Sequence, residues 1–284
     1  MVSADGQVHG GGVRMADRYG VIGHPIAHSK SPIIHGLFAK QTGEKISYET
    51  FDIAPEDLER RVRALVKDGL RGFNVTVPHK EAAARLVDVC TPRAEMAGAV
   101  NTVTVTDSGK LRGDNTDGVG LTRDLKYNLN VAIRDARVLV LGAGGAARGV
   151  IPALLMSGPA ELCVANRTVD RARELAARFT GLGKIRACTF DQLEGDRFDL
   201  IINATSAGLQ GEVPPFPPSI IDERTTCYDL SYAMSDTPFG CWARAQGAEH
   251  VHQGWGMLVE QAAEAFEIWR GVRPSTAPVL RRLP

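Results

Sequence analysis

The sequence predicts an α/β fold built as two α/β domains with a cleft between them, and three observations carry that prediction. Short apolar runs alternate with amphipathic ones along most of the chain, the pattern of βα units and parallel sheets. A glycine-rich string, Gly142-Ala143-Gly144-Gly145-Ala146-Ala147, follows the apolar run Arg137–Leu141 and opens a helical stretch. The last long segment, 255–269, has lost the alternation and is helical alone, so it packs back on the first half. The expected division is therefore residues 15–116 with 254–284 in one domain and 117–253 in the other. The cleft between them is the default ligand site.

Each element has its own signal. Residues 19–23 read as a strand, and Ser31 as the N-cap, with Pro32 at N1, of a helix that carries Ile33, Ile34, Leu37 and Phe38 to a stop at Gly43. A strand at 46–51 follows. Pro55 opens a helix with Leu58, Val62, Leu65 and Val66 at helical spacing, ending at Gly69. A third strand, 73–77, runs into Pro78, His79 and Lys80; a short helix and a strand at 100–105 come next. After Asp117 a helical run extends to Leu129. The strand, turn and helix rhythm then recurs with strands at Arg137–Leu141, Glu161–Ala165, 199–203 and 226–230 and helices at 169–179 and from Thr237-Pro238 to Gln246. The tract 213–218 is a proline-rich loop.

Bulk composition narrows the function. Lys plus Arg and Asp plus Glu number 33 each, so no overall field draws in a nucleic acid or an anionic membrane. A small anionic ligand must be met by local cations. No apolar stretch approaches the roughly 18–20 residues of a membrane span. The 5 cysteines form no CxxC pair and read as small buried hydrophobes of a reducing, cytoplasmic compartment. His250 and His252 form only an isolated HxH, which is poor evidence for metal. Residues 1–14 are polar and glycine-rich without an apolar core segment; they read as a disordered leader, with Met15 an alternative start.

The glycine string has the context of a dinucleotide fingerprint, with a strand before it and a helix after it. Gly142 permits the tight turn, Gly144 lets backbone N–H groups approach a pyrophosphate, and Ala147 takes the small helix-packing position. The next strand ends Asn166-Arg167-Thr168, with Arg171 one turn on, where a site for NAD commonly has Asp or Glu. Guanidiniums there grip a 2′-phosphate, so NADP is favoured. The bland alternative for either Arg is a solvated helix residue.

Three further strings bring polar groups to strand ends: His28-Ser29-Lys30-Ser31-Pro32, Asn74-Val75-Thr76-Val77-Pro78-His79-Lys80 and Gly113-Asp114-Asn115-Thr116-Asp117-Gly118. Hydroxyls and amides suit a polyhydroxylated substrate, and Lys80 with Asp117 makes a minimal proton-transfer pair. Each also has a structural reading: Ser31 as a cap, Thr76 and Asn101 as partners for strand-end backbone, Lys80 as a solvated lysine, Asp117 as a helix cap.

Taken in order, HSKSP, NVTVPHK, AGAVNT, GDNTDG, GAGGAA, NRT, NATSAG and GWGMLVEQAAEAFEIW resemble the signature series of shikimate dehydrogenases from Gly23 to about Gly271. The resemblance implies an N-terminal substrate domain and a Rossmann-type NADP-binding domain. It implies NADP-dependent, reversible reduction of 3-dehydroshikimate to shikimate in the shikimate pathway of aromatic amino acid biosynthesis. Lys80 and Asp117 match the catalytic pair, and Ser29 and Ser31 the serines that bind the substrate carboxylate. Thr76, Asn101 and Gln261 match polar groups around the substrate, and Tyr232 the tyrosine that reaches it from the cofactor domain. Ala143, Gly144, Gly145 and Ala146 match the pyrophosphate turn that Gly142 begins. Asn166, Arg167, Thr168 and Arg171 match the 2′-phosphate clamp; Thr205, Ser206, Gly254 and Met257 lie near the nicotinamide. No metal is implied, and the partners are a small-molecule substrate and, at most, a second copy in a homodimer. The sequence departs from the family at His24-Pro25 and at Tyr232-Ala233-Met234, which affects loops and not the matched contacts. Two rivals are a quinate/shikimate dehydrogenase using NAD, against which the arginines stand, and an NADP-binding sensor that has lost catalysis. Such a sensor has no need of Lys80, Asp117, Ser29 and Ser31 together.

Overall fold

A computed structural model describes residues 16–283 of the chain. The expected leader, 1–14, and Met15 lie outside the described residues. The first half contains β1 (Asp17–Gly23), α1 (Ser31–Thr42), β2 (Ile46–Asp52), α2 (Leu58–Lys67), β3 (Leu70–Val75), α3 (Lys80–Leu86), β4 (Val89–Cys90), α4 (Pro92–Ala97), β5 (Thr102–Val105) and β6 (Leu111–Asp114). Its six strands are ordered β2-β1-β3-β5-β6-β4.

This sheet is mixed, not parallel as the rhythm suggested, because β5 runs antiparallel to both β3 and β6. The cause is local. Only a tight turn joins β5 to β6, closed by Thr106 N–H on the Lys110 carbonyl at 2.9 Å with Gly109 at φ 79°, and a parallel pairing needs a much longer crossover. The expected cap of α1 is also corrected. Lys30 holds the cap position in αR geometry with no side-chain capping bond, and Ser31 is the first helical residue. Gly43, left-handed at φ 75°, ends α1 where the sequence placed the stop.

Helix α5 (Asp117–Arg123) leads out of the first half and continues as a π turn over Asp124–Asn128. The second half contains β7 (Arg137–Leu141), α6 (Gly145–Met156), β8 (Glu161–Ala165), α7 (Val169–Phe179), β9 (Ile185–Cys188), β10 (Leu200–Asn203), β11 (Thr226–Asp229), α8 (Pro238–Ala245) and β12 (His250–Gln253). Its strands are all parallel in the order β12-β11-β10-β7-β8-β9, the doubly wound Rossmann order. Strand β7 explains why its sequence reads VLVL without polar alternation. Val138 and Val140 enter the core on one face of the sheet, and Leu139 and Leu141 the core on the other.

The chain then returns to the first half. Helix α9 (Trp255–Arg270) sets Val259, Ala262, Ala263 and Phe266 against Ile34 and Phe38 of α1, and α10 (Ala277–Leu280) adds Val279 to that cluster. Burying each phenylalanine contributes roughly 1.5–3 kcal/mol. One turn into α9, Met257 belongs instead to the core of the second half, together with Leu121 and Leu125. Helix α9 therefore bonds to both cores. Its far end is fixed on the first sheet, where Trp269 Nε1 donates to the Val103 carbonyl at 3.1 Å and stacks on Tyr19. Among the described residues no helix is long and apolar enough to cross a membrane.

Candidate active site

Two cavities meet in the cleft, and Lys80 lines both. The larger, about 540 Å³, is a trough along the carboxyl ends of the second sheet, where β7 and β10 lie side by side at the switch in strand order. The smaller, about 130 Å³, lies among the ends of β3, α5 and α9.

The trough has the form of a dinucleotide cradle. Gly142 sits at φ 104°, and a Cβ on it would come within 3.0 Å of the Ala204 carbonyl oxygen, so only glycine fits the turn. Around Gly144 a Cβ would meet nothing within 4 Å, which leaves room for a ligand at the start of α6. The first amides of a helix have no partner within it and suit a phosphate. Ala143, Gly145 and Ala146 line the same edge. Asn166, Arg167 and Arg171 line one end, with no carboxylate at the end of β8. Thr168 holds the cap position of α7 and does not line the trough; its carbonyl accepts the Asn166 amide at 2.8 Å. Thr205 and Ser206 line the trough from the loop after β10, and Val213, Pro214 and Pro215 form another wall. The sequence marked that proline-rich loop only by its composition.

In the smaller cavity the sequence-predicted Ser31, Thr76, Lys80, Asn101 and Asp117 come together from the first half. Tyr232, Gly254, Met257 and Gln261 close it from the other side, so Gly254 and Met257 face this cavity and not the trough. Ser29 lines neither; its Oγ accepts the Ser31 N–H at 3.3 Å. Asn74, part of a quoted string but not singled out, also lines the cavity. It is a buried amide at a strand end, and that was the available signal. Its Oδ1 accepts the Tyr48 hydroxyl at 2.7 Å, and its Nδ2 donates to the Asn101 carbonyl at 3.2 Å.

Lys80 and Asp117 each open a helix, and the turns before those helices aim them at one another. His79, almost wholly buried, donates Nε2–H to the Ile53 carbonyl at 2.7 Å and anchors the turn after β3. Burial lowers its pKa, which keeps the ring neutral. The Asp117 backbone N–H donates to Asn115 Oδ1 at 3.1 Å, and Asn115 Nδ2 donates to the Ala99 carbonyl at 2.8 Å. Lys80 Nζ then meets Asp117 Oδ2 at 2.6 Å, with side chains only 13% and 4% exposed. Asp117 Oδ1 accepts the Asn101 amide at 2.8 Å. Asn101 in turn takes the Thr116 N–H on its Oδ1 at 2.8 Å, which fixes which way its amide points. The Gln261 Oε1 completes the group at 3.2 Å from Asn101 Nδ2. Gly149 of α6 makes room for the carboxylate, since a Cβ there would lie 2.8 Å from Asp117 Oδ2.

Tyr232 reaches this cavity from the second half, packed at 4.5 Å against the Trp255 ring. Burial holds its phenol above the ordinary tyrosine pKa, opposed by a hydrogen bond with the Lys30 backbone. The whole arrangement sets a hydrogen-bonded ammonium where a polyhydroxylated ligand and a nucleotide would touch. It can deliver a proton to an oxygen in the smaller cavity while a group bound in the trough reacts with the adjoining carbon.

Comparison with known proteins agrees with this geometry. Residues 21–103 match the model of the shikimate dehydrogenase substrate binding domain, 125–210 that of shikimate / quinate 5-dehydrogenase, and 254–283 that of the shikimate 5'-dehydrogenase C-terminal domain. A curated relative from Alkalilimnicola ehrlichii, named shikimate dehydrogenase (NADP(+)), is 55% identical over 95% of this chain and 99% of its own. The crystal structure of the Ael1 enzyme from Pseudomonas putida superposes with a TM-score of 0.87 at 43% identity, covering 94% of this chain and 98% of that one. The shikimate 5-dehydrogenase of Thermus thermophilus, in complex with NADP(H) and shikimate, gives 0.82 at 38% identity over 93% and 98% of the two chains. With the two cavities, the Lys80–Asp117 pair and matches along nearly its whole length, this chain belongs to the shikimate dehydrogenase family.

Proposed function

We propose that this chain catalyses the NADP-dependent, reversible reduction of 3-dehydroshikimate to shikimate, in the cytoplasm and within the shikimate pathway of aromatic amino acid biosynthesis. The carrying observation is the position of Lys80, which lines both cavities and stands 2.6 Å from Asp117. Residues 15–116 with 254–284 would bind the substrate, and 117–253 the cofactor. When bound, NADPH supplies the hydride. Lys80 gives its proton to the oxygen that gains charge on the substrate. Asp117 holds that ammonium in place through one oxygen, and its second oxygen stays on Asn101. Ser31, Thr76, Asn101 and Gln261 hold the carboxylate and ring hydroxyls, and Tyr232 covers the ligand from the opposite side. Arg167 and Arg171 hold the 2′-phosphate, and the turn Gly142–Ala146 the pyrophosphate. All of these groups come from one chain, so the reading asks for no partner subunit at the site.

The test is shikimate oxidation with NADP, followed by the absorbance of reduced nicotinamide, with NAD and quinate in parallel. Turnover with shikimate and NADP is the expected result. No turnover, or a preference for NAD, would overturn the reading.

A further inference from the structure

We propose that Asp229 is a positioning residue that ties the cofactor-side loop of the cleft to its substrate-side loop; the inference rests on the dehydrogenase reading above. Asp229 and Asn203 end the neighbouring parallel strands β11 and β10, and they are register partners. Each sets the loop that follows it. Asn203 Oδ1 accepts the Thr205 N–H at 3.2 Å and the Thr205 hydroxyl at 2.8 Å, shaping the turn that brings Thr205 and Ser206 to the trough. Asp229 Oδ1 accepts the Ser231 N–H at 3.0 Å, shaping the turn that carries Leu230 and Tyr232 to the smaller cavity. The side chains that shape the two turns are joined by a bond from Asn203 Nδ2 to the same Asp229 Oδ1 at 3.1 Å, beside the backbone bond from the Leu230 N–H to the Asn203 carbonyl at 2.9 Å.

The backbone bond fixes where the two loops start, and one buried carboxylate oxygen holds the turns that follow. Asp229 is fully buried and Asn203 nearly so, hence water cannot substitute for either partner. Burial also raises the Asp229 pKa, outweighing the hydrogen bonds that the carboxyl accepts. The loops carry groups on the two sides of the point where trough and cavity meet, and there misplacement by about 1 Å costs on the order of 10²-fold in rate. The substrate-side loop is further held by its neighbours: the Gly254 N–H donates to the Ser231 carbonyl at 2.9 Å, and the Ala233 N–H to Gln253 Oε1 at 2.7 Å. The cofactor-side loop is held at its start by the Ala204 N–H on the Leu141 carbonyl at 2.8 Å, and its turn is aligned with the Tyr232 loop through the side chains of Asn203 and Asp229.

The experiment measures NADP+ affinity by fluorescence titration, and kcat and KM for shikimate, in Asn203→Ala, Asp229→Ala and Asp229→Asn. Asn203→Ala removes the cofactor-side turn and the bond to Asp229 but leaves the Ser231 N–H on Asp229 Oδ1, so NADP+ binding weakens roughly tenfold while the shikimate KM stays within about twofold. Asp229→Ala releases both loops and weakens both ligands roughly tenfold. Asp229→Asn keeps an oxygen that accepts both bonds, and restores both constants to within about threefold of wild type. A folded Asp229→Ala protein with both constants unchanged overturns the proposal, and so does an Asp229→Asn protein as impaired as the alanine variant. If Asp229→Ala does not fold, Asn203→Ala decides alone, and an unselective or absent effect on its two ligands overturns the tie. Wild-type turnover is the control. Its absence sinks the dehydrogenase reading, whereas turnover with an unselective Asn203→Ala sinks only the tie.

Discussion

Lys80 Nζ lies 2.6 Å from Asp117 Oδ2 although 37 residues separate them in the chain. One opens α3 and the other α5, and the nearly buried pair has a second anchor in Asn101. Proton transfer by a positioned group typically contributes about 10²–10⁴-fold. Lys80→Met should therefore lower kcat by that order with a much smaller change in shikimate affinity. Asp117→Asn should lose rate as well, since an amide does not hold the ammonium's charge, and the double variant should lose less than the sum. Unfolding midpoints must accompany the kinetics. Lys80→Met strands a buried carboxylate, and the pair's burial predicts a loss on the order of 3 kcal/mol. Near-normal kcat in Lys80→Met would remove the lysine from the chemistry.

Arg167 and Arg171 are exposed on one side and line the trough on the other, with no acid at the end of β8 to repel a phosphate. Charge-assisted hydrogen bonds are worth about 1.5–3 kcal/mol each. Replacing either arginine by alanine should raise KM for NADP about tenfold to a hundredfold and leave KM for NAD nearly unchanged. Equal effects on both cofactors would show that the arginines hold the loop and not the 2′-phosphate.

The two serines of the HSKSP string are not equivalent. Ser31 lines the smaller cavity, whereas the Ser29 oxygen is turned onto the Ser31 N–H at 3.3 Å. Ser31→Ala should raise KM for shikimate roughly tenfold with little change in kcat, because the contact exists in ground and transition states alike. Ser29→Ala should have the smaller effect. Steady-state kinetics of both variants decide it, and a larger effect at Ser29 would reverse the assignment.

Much of this was legible in the sequence because the signals were local. The strands Arg137–Leu141 and Glu161–Ala165 and the helix Val169–Phe179 match their predicted bounds, since unbroken apolar runs and a clear helical period leave little choice. Strands β4, β6 and β9 were not read. Each has at most four residues, and charged or glycine positions in β6 and β9 break the alternation. At the site, motif strings brought out Lys80, Asp117, Asn101 and Gln261, but which cavity each residue faces depends on how β3, α5 and α9 converge. For that reason Asn74 went unnoticed and Ser29 was placed beside Ser31. The bond between Asn203 and Asp229 was out of reach too, because it depends on the register of two strands.

His35 illustrates how far burial alone can set a property that the sequence does not advertise. It lies in α1, wholly buried, with its ring stacked on Tyr48 at 4.2 Å and 6° and tilted against Trp269 at 5.5 Å. Burial lowers its pKa to about 3, offset only in part by the Asn74 side chain. In the unfolded chain the same ring has its ordinary pKa near 6.5. Above that value neither state holds the proton, and the contribution of the neutral ring to stability is complete. Between about pH 6.5 and about pH 3 the unfolded chain binds a proton that the native protein refuses, so stability falls with pH by up to roughly 1.4 kcal/mol per unit. His35→Phe keeps a flat ring in the stack and removes the titration. Urea unfolding at about pH 7 and about pH 5 should therefore show a steeper loss in the wild type than in the variant. Asp124, a buried carboxyl whose pKa burial raises, changes stability in the opposite sense, but it is present in both proteins and cancels in the difference. Parallel losses in the two proteins would mean that His35 takes up its proton in the folded state, and the packing around α1 would then have to admit a charge.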